Sequence, residues 1–321
     1  MAIATGACSA GDRSQKWFFY RAVAVAKDSR SDSMELWRNI KSWLGGDRVD
    51  INERFELLRE AVHGTMSQFY VAQDRTSGQT VGLKILDREK AAKFECRFRG
   101  LNKPSEGEIA TTISHPAIVV THEYGKTTTG NSYLVMEYLA GQGMNTLIQT
   151  AADSFAQHRW ELLRQAAGAL AAVHEAGFIH RDICPRNFVV SPDCTTLKLI
   201  DFGLSIPDAP DFCHPGNRTG TPRYMSPEIV RRRATDRRVD IFSFGVTAYE
   251  MFAYQTPWPS SVTTGNIALG HDKPPVPLIE CCPSIDPKLA ELIHRCIEPS
   301  PDARPSEMAE FLAAIADLSE T

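Results

Sequence analysis

This sequence predicts an α+β fold in two lobes. Three observations predict it. From about Phe55 to Leu139 the apolar residues follow short, strand-like runs. After Gly141 the period becomes helical and stays so to the end. The chain has 321 residues, 43% apolar and 23% charged, which is enough for a buried core and ordinary for a globular protein. Strands followed by helices imply segregated layers rather than a βαβ alternation.

The elements follow in order. Residues 1–52 read as an N-terminal extension whose first dozen residues are expected to be disordered. "WFFYRAVAVA" (Trp17 to Ala26) is apolar but broken by Arg21, so a buried element suits it better than a signal peptide. In "SMELWRNIKSWLGG", Leu36, Trp37, Ile40, Trp43 and Leu44 recur at helical spacing, and Gly45-Gly46 is a stop. That helix would pack on the main domain or dock on a partner or membrane surface. "QFYVAQD" and "TVGLKIL" are β-rich runs joined by a turn containing Gly78, and "SYLVMEYL" is a third. "REKAAKFECRFRGLNKPS" is charge-rich and holds Pro104, so any helix there starts late. In "RWELLRQAAGALAAVHEAG", Leu163, Ala166, Ala167, Leu170 and Val173 share one face, and Gly177 ends the helix. "DIFSFGVTAYEMFA" is mostly apolar, hence a buried helix. "PKLAELIHRCI" and "SEMAEFLAAIADL" are amphipathic, the second with Ser306 as N-cap. No internal repeat or low-complexity tract is present.

A formal charge of −4 gives no overall drive toward nucleic acid or anionic membranes. No apolar run has the length of a membrane span. The eight cysteines form no C-x-x-C pair and suggest a reducing, cytoplasmic setting. The basic run "RRRATDRR" (Arg231 to Arg238) reads as a solvated helix end or as a dock for acidic substrates.

Several short motifs occur in a fixed order: Lys84 in "VGLKIL", "HPAIV" (His115 to Val119), "YLVMEY", "HRDICPRN" (His180 to Asn187), "DFG" (Asp201 to Gly203), "GTPRYMSPE" (Gly220 to Glu228), "DIFSFG" and "DARP". Each alone is weak; their order and spacing are not. The sequence resembles the eukaryotic-like (Hanks-type) serine/threonine protein kinases over about residues 53–316, most like the bacterial members. The resemblance implies a bilobal protein-kinase fold, a β-rich N-lobe over about 53–139, an α-helical C-lobe over about 140–316, and a tail at 317–321.

It also implies roles. ATP and Mg²⁺ are the expected cofactors and a protein the expected substrate, with a homodimer compatible and nucleic acid excluded. Phosphoryl transfer needs positioning and charge compensation more than covalent chemistry. Lys84 would hold the α- and β-phosphates, paired with a Glu nine residues before His115, which is Glu106; Glu108 is the alternative. Asp182 would accept the hydroxyl proton. Asn187 and Asp201 would hold Mg²⁺, whose preference is for oxygen ligands. Met136, the Glu137 and Leu139 backbones and Val189 would line the adenine pocket. Arg181 would bind a phosphorylated activation segment, with Thr219 as the phosphate acceptor, and Thr221 would shape the acceptor site. Glu228–Arg304 would be a structural ion pair, and Asp240 would cap the catalytic loop. His180 and Phe202 would be packing residues.

The chain departs from the family at three places. Of the three glycines in the phosphate-covering loop only Gly64 remains, with Val62 and Ser67 in the other two seats. Phe69 stands for a valine and Gly82 for an alanine, two volumes that do not cancel and so imply a reshaped adenine pocket. Cys184 stands where most members keep a lysine, and Arg186 two residues on is the expected substitute. Cys184 is then an inert filler or, beside two arginines, a reactive thiol. The competing reading is a pseudokinase scaffold; a small-molecule kinase is a third.

Overall fold

The structure is a computed structural model that describes residues 48–63, 67–216, 218–258, 271 and 273–318, without the side chains of residues 60–63. The helix expected in "SMELWRNIKSWLGG" and the run "WFFYRAVAVA" lie outside the described residues, as does Gly64.

Five antiparallel strands form the N-terminal sheet: β1 (Phe55–His63), β2 (Ser67–Asp74), β3 (Thr80–Leu86), β4 (Thr121–Lys126) and β5 (Ser132–Glu137), in the order β1-β2-β3-β5-β4. Their two-residue period separates two faces. Phe55, Ala72, Val81, Leu83, Tyr133 and Val135 build a small core on one face. Leu134 and Met136 on the other join the main core, with Phe69 packed against it. Arg54, at the end of a one-turn helix α1 (Ile51–Arg54), ties the sheet's start to Asp74 (3.0 Å) and Glu123 (2.7 Å). The β2–β3 turn needs Gly78, whose φ is +71°.

Between β3 and β4 the charged segment makes two helices. Helix α2 (Arg88–Glu95) runs into a 3₁₀ turn, Cys96–Phe98. Helix α3 (Glu106–Thr112) starts two residues after Pro104. Ser105 caps it reciprocally with Glu108, a capping box.

The rest is helical around two small sheets, β6-β8-β9 (Gln142–Gly143, Phe188–Val190, Leu197–Leu199) and β7-β10 (Phe178–Ile179, Ile206–Pro207). Helices α4 (Met144–Thr150) and α5 (Asp153–Glu175) precede them, and Gly177 follows α5 at φ +82°. Leu163, Ala166, Ala167, Leu170 and Val173 of α5 are completely buried. Helix α6 (Pro227–Val230) leads to α7 (Arg238–Ala253), buried on nearly every side as its composition requires. Then come α8 (Leu278–Cys281), α9 (Pro287–Cys296) and α10 (Met308–Ile315), with α9 on α7 and α10 on α5. Ser306 is not the cap of α10. Glu307 holds that position, because the Ser306 hydroxyl is drawn to the Glu310 carboxylate instead. The basic run is partly spent on ion pairs, Arg237 with Asp208 and Arg238 with Asp236 and Asp302. Among the described residues no helix is long and apolar enough to cross a membrane.

Candidate active site

Lys84 lies in the middle of β3, on the face turned toward the helical part. Its ammonium donates to Glu106 Oε1 (2.5 Å) and to Asp201 Oδ1 (2.8 Å). Glu106 is the first residue of α3, and Glu108 is committed to the cap. Burial works against the Lys84 charge, but Asp201 and Glu106 outweigh it and raise its pKa. Burial pushes Glu106 up, only partly offset by Lys84. The Asp201 side chain is partly exposed; partial desolvation would raise its carboxyl, yet the Lys84 ammonium and the Gly203 N–H hold it down to about 2.

Asp182 is buried. Its Oδ1 accepts from Thr221 N (2.8 Å) and Thr221 Oγ1 (2.6 Å). Its Oδ2 accepts from Arg186 Nη2 (3.0 Å) and Asn187 Nδ2 (3.0 Å). Asn187 Nδ2 also reaches the Asp182 carbonyl at 2.7 Å. The amide nitrogen of Asn187 is thus occupied by the loop itself. A 3₁₀ turn, Pro185–Asn187, supplies this geometry.

The loop is held in strain. Arg181 and Asp201 have φ of +67° and +68°, a region that non-glycine residues avoid. At Arg181, Asp240 at the head of α7 offsets this by accepting from His180 N and Arg181 N, both at 2.7 Å. His174 adds a third bond to it at 3.0 Å. His180 is completely buried, and burial lowers its pKa, so Nδ1 is free to accept from Asp182 N (3.3 Å). Its ring meets Phe202 edge-on at 5.2 Å. His180 packs and orients; it has no access to a substrate.

Cys184 is 0% exposed, with its thiol 3.6 Å from Thr221 Oγ1. Burial and the Asp182 charge push that thiol up to about 12, so the reactive-thiol expectation fails. The Arg186 side chain, in contrast, is 54% exposed.

The nucleotide-pocket candidates converge in part. Val62 pairs with Phe69 across the β1–β2 hairpin, Phe69 with Lys84, and Gly82 with Met136. Ser67 is the first residue of β2, paired with Leu86, rather than a loop residue. A Cβ on Gly82 would sit 3.3 Å from Phe69 Cζ and 3.4 Å from the Glu137 carbonyl. The Phe69 ring therefore occupies the space that Gly82 leaves, so the two volumes compensate, against the sequence expectation. Met136 is buried, Leu139 packs on the main core, and Val189 packs under Gly141.

Thr219 is 9% exposed and its hydroxyl has no hydrogen-bond partner among the described residues. Gly220 has φ +119°, and a Cβ there would meet the Arg181 carbonyl at 2.7 Å. Only glycine fits between the two loops.

Sequence reasoning missed Lys198. Its ammonium bonds Glu137 Oε1 at 2.6 Å, and the same carboxylate accepts from Val120 N at 2.7 Å, which fixes the strand connecting the lobes. It also missed Ser105, although Ser-x-x-Glu is a readable capping signature. Phe94 and Phe98 were passed over inside a charged segment; their spacing of four was the available signal.

The protein kinase domain family matches residues 55–314. Among curated proteins, the chain is 29% identical over 275 residues to serine/threonine-protein kinase PknA of Mycobacterium tuberculosis, covering 84% of this chain and 62% of that one. It is 29% identical to serine/threonine-protein kinase PknB of Mycolicibacterium smegmatis and to serine/threonine-protein kinase pkn2 of Myxococcus xanthus, each over 84% of this chain. It spans 44% and 33% of those two, so it corresponds to less than two thirds of each relative. The matched span, the five-stranded sheet over a helical lobe, and the ordered motifs agree: the chain belongs to the protein kinase family of the Hanks type, alongside bacterial serine/threonine kinases.

Proposed function

We propose that the chain transfers the γ-phosphoryl group of ATP to serine or threonine hydroxyls of protein substrates. The carrying observation is the contact of Lys84 with both Glu106 and Asp201. Lys84 and Glu106 are taken out of water at a cost of several kcal/mol each, roughly, while the Asp201 side chain stays partly exposed beside them. Their retention fits a site that uses them.

In this reading Lys84, positioned by Glu106, holds the ATP phosphates. Asp182 accepts the hydroxyl proton as the oxygen attacks phosphorus and the bond to the departing diphosphate breaks. Thr221 fixes the Asp182 carboxylate from the acceptor side, which supports an aliphatic hydroxyl as acceptor. The names of the relatives, all serine/threonine kinases, support the same class. Arg186 supplies the positive charge that Cys184 cannot.

Asn187 and Asp201 fit a hard divalent cation, because their free donors are oxygens. Bound there, Mg²⁺ would neutralise phosphate charge. The adenine pocket is roofed by Phe69 over Gly82 and backed by Met136. A cytoplasmic setting agrees with the unpaired cysteines of the described residues.

The test compares wild type with Asp182→Asn in γ-phosphoryl transfer to itself and to a generic protein. Loss of transfer in the variant is expected. Equal signal from both, or thermal stabilisation by ATP with no transfer at all, would replace the enzyme with a nucleotide-binding scaffold.

A further inference from the structure

Two aromatic side chains are buried within an otherwise charged segment. Phe94 lies in the last turn of α2 and Phe98 ends the following 3₁₀ turn, and they are 6% and 4% exposed. Their rings meet edge-on at 5.5 Å, and Phe98 lies 5.9 Å from Phe212. Phe212 belongs to the activation segment, Asp201 to Glu228. The two rings share one apolar cluster with Ile206, Cys213 and Met225 of that segment. Lys103 reaches back over the Phe94 ring at 5.5 Å, and two residues later Ser105 caps α3. The chain between the cluster and Glu106 is therefore short and anchored at both ends.

We propose that Phe94 and Phe98 are positioning residues that clamp the activation segment and set Glu106 against Lys84 without a phosphate on Thr219. This rests on the kinase reading above. A phosphate would order the segment by adding charge for arginines to hold. Here an apolar cluster does that work, and the Thr219 hydroxyl already faces inward. With the segment in place, Thr221 meets Asp182 and Lys84 meets Glu106. The clamp joins those two halves of the site through packing rather than through a modification.

The experiment uses the full chain, stripped of phosphate and verified by mass spectrometry, and compares wild type with Phe94→Ala/Phe98→Ala, Phe98→Ala and Phe98→Leu. The stripped wild type keeps at least about half of its kcat, and the double variant loses about 10- to 100-fold, with a raised KM for peptide. Phe98→Leu restores most of it. Amide exchange over residues 202–216 quickens about tenfold or more in the double variant, while α7 keeps its protection. If the double variant does not fold, Phe98→Ala alone is read by the same measures. Unchanged exchange over 202–216, or a stripped wild type as weak as the variant, overturns the clamp. If the wild type transfers no phosphate but its exchange still responds to Phe98→Ala, the clamp stands and the phosphotransfer reading falls.

Discussion

At the scale of single residues the decisive pair is Cys184 and Arg186. They lie two positions apart on one loop, close enough to interact, but differ in burial and charge. The Cys184 thiol is buried against Thr221, where it fills space, and its high pKa removes it from ionic chemistry. The Arg186 guanidinium is half exposed and 3.0 Å from the carboxylate that would take the proton. A permanent charge there can compensate phosphate during transfer. Arg186→Ala should lower kcat by about 10²–10³, the usual loss for one donor to a developing anion. Cys184→Ala should stay within a few-fold. Steady-state kinetics on both decide it, and comparable losses would mean the charge at Arg186 serves only to hold Asp182. The spacing of "HRDICPRN" made Asp182, Arg186 and Asn187 legible, because neighbours on a tight loop must meet. It could not tell which way Cys184 turned, since that depends on Thr221, 37 residues further on.

At the scale of elements, α3 matters most because its first residue is Glu106. Seven residues make a helix too short to be stable by itself. The Ser105–Glu108 box holds its start, and close approach to β4 holds its side. That approach rests on Gly107. A Cβ there would lie 2.3 Å from Tyr124 Cγ, which no packed pair tolerates. Gly107→Ala should push α3 off β4 and move Glu106 away from Lys84. Misplacement on the order of 1 Å costs up to about 10²-fold in activity. Gly107→Ala with Tyr124→Ala should recover part of the loss, because the double change removes Cγ, the nearest clashing atom, and the ring. Additive losses in that cycle would show that the glycine acts elsewhere. The late start of this helix was readable from Pro104. The need for glycine was not, because its cause sits on another strand. The same holds for Phe69 and Gly82, whose ring-into-gap fit crosses two strands, and for Phe94 and Phe98, whose partner Phe212 lies more than 100 residues away. Local periodicity reveals elements; it is silent on which distant side chain fills a given space.

At the scale of the whole molecule, chemistry and cohesion rest on different ions. Arg304 follows the turn at Pro301–Ala303 and touches no residue of the cleft. Its guanidinium makes five hydrogen bonds, matching its five donors. Two go to Glu228 Oε1 and Oε2, at 2.8 and 2.9 Å. Three go to the carbonyls of Glu298, Arg238 and Pro299, at 2.8, 3.0 and 3.2 Å. The group also lies 4.9 Å from the centre of the Phe242 ring. One side chain thus joins the end of the activation segment, the start of α7 and the loop after α9. Truncation would leave Glu228 buried and three carbonyls short of a donor. Removing one member of such a buried pair costs about 3–5 kcal/mol. For a domain of this size that corresponds to a fall in Tm of roughly 6–20 °C. Arg304→Lys should recover little, because an ammonium has three donors and no planar fork to match a carboxylate. Scanning calorimetry on Arg304→Ala and Arg304→Lys measures this directly. A fall below about 2 °C for Arg304→Ala would show that the surrounding loops hold α6 to α7 without it.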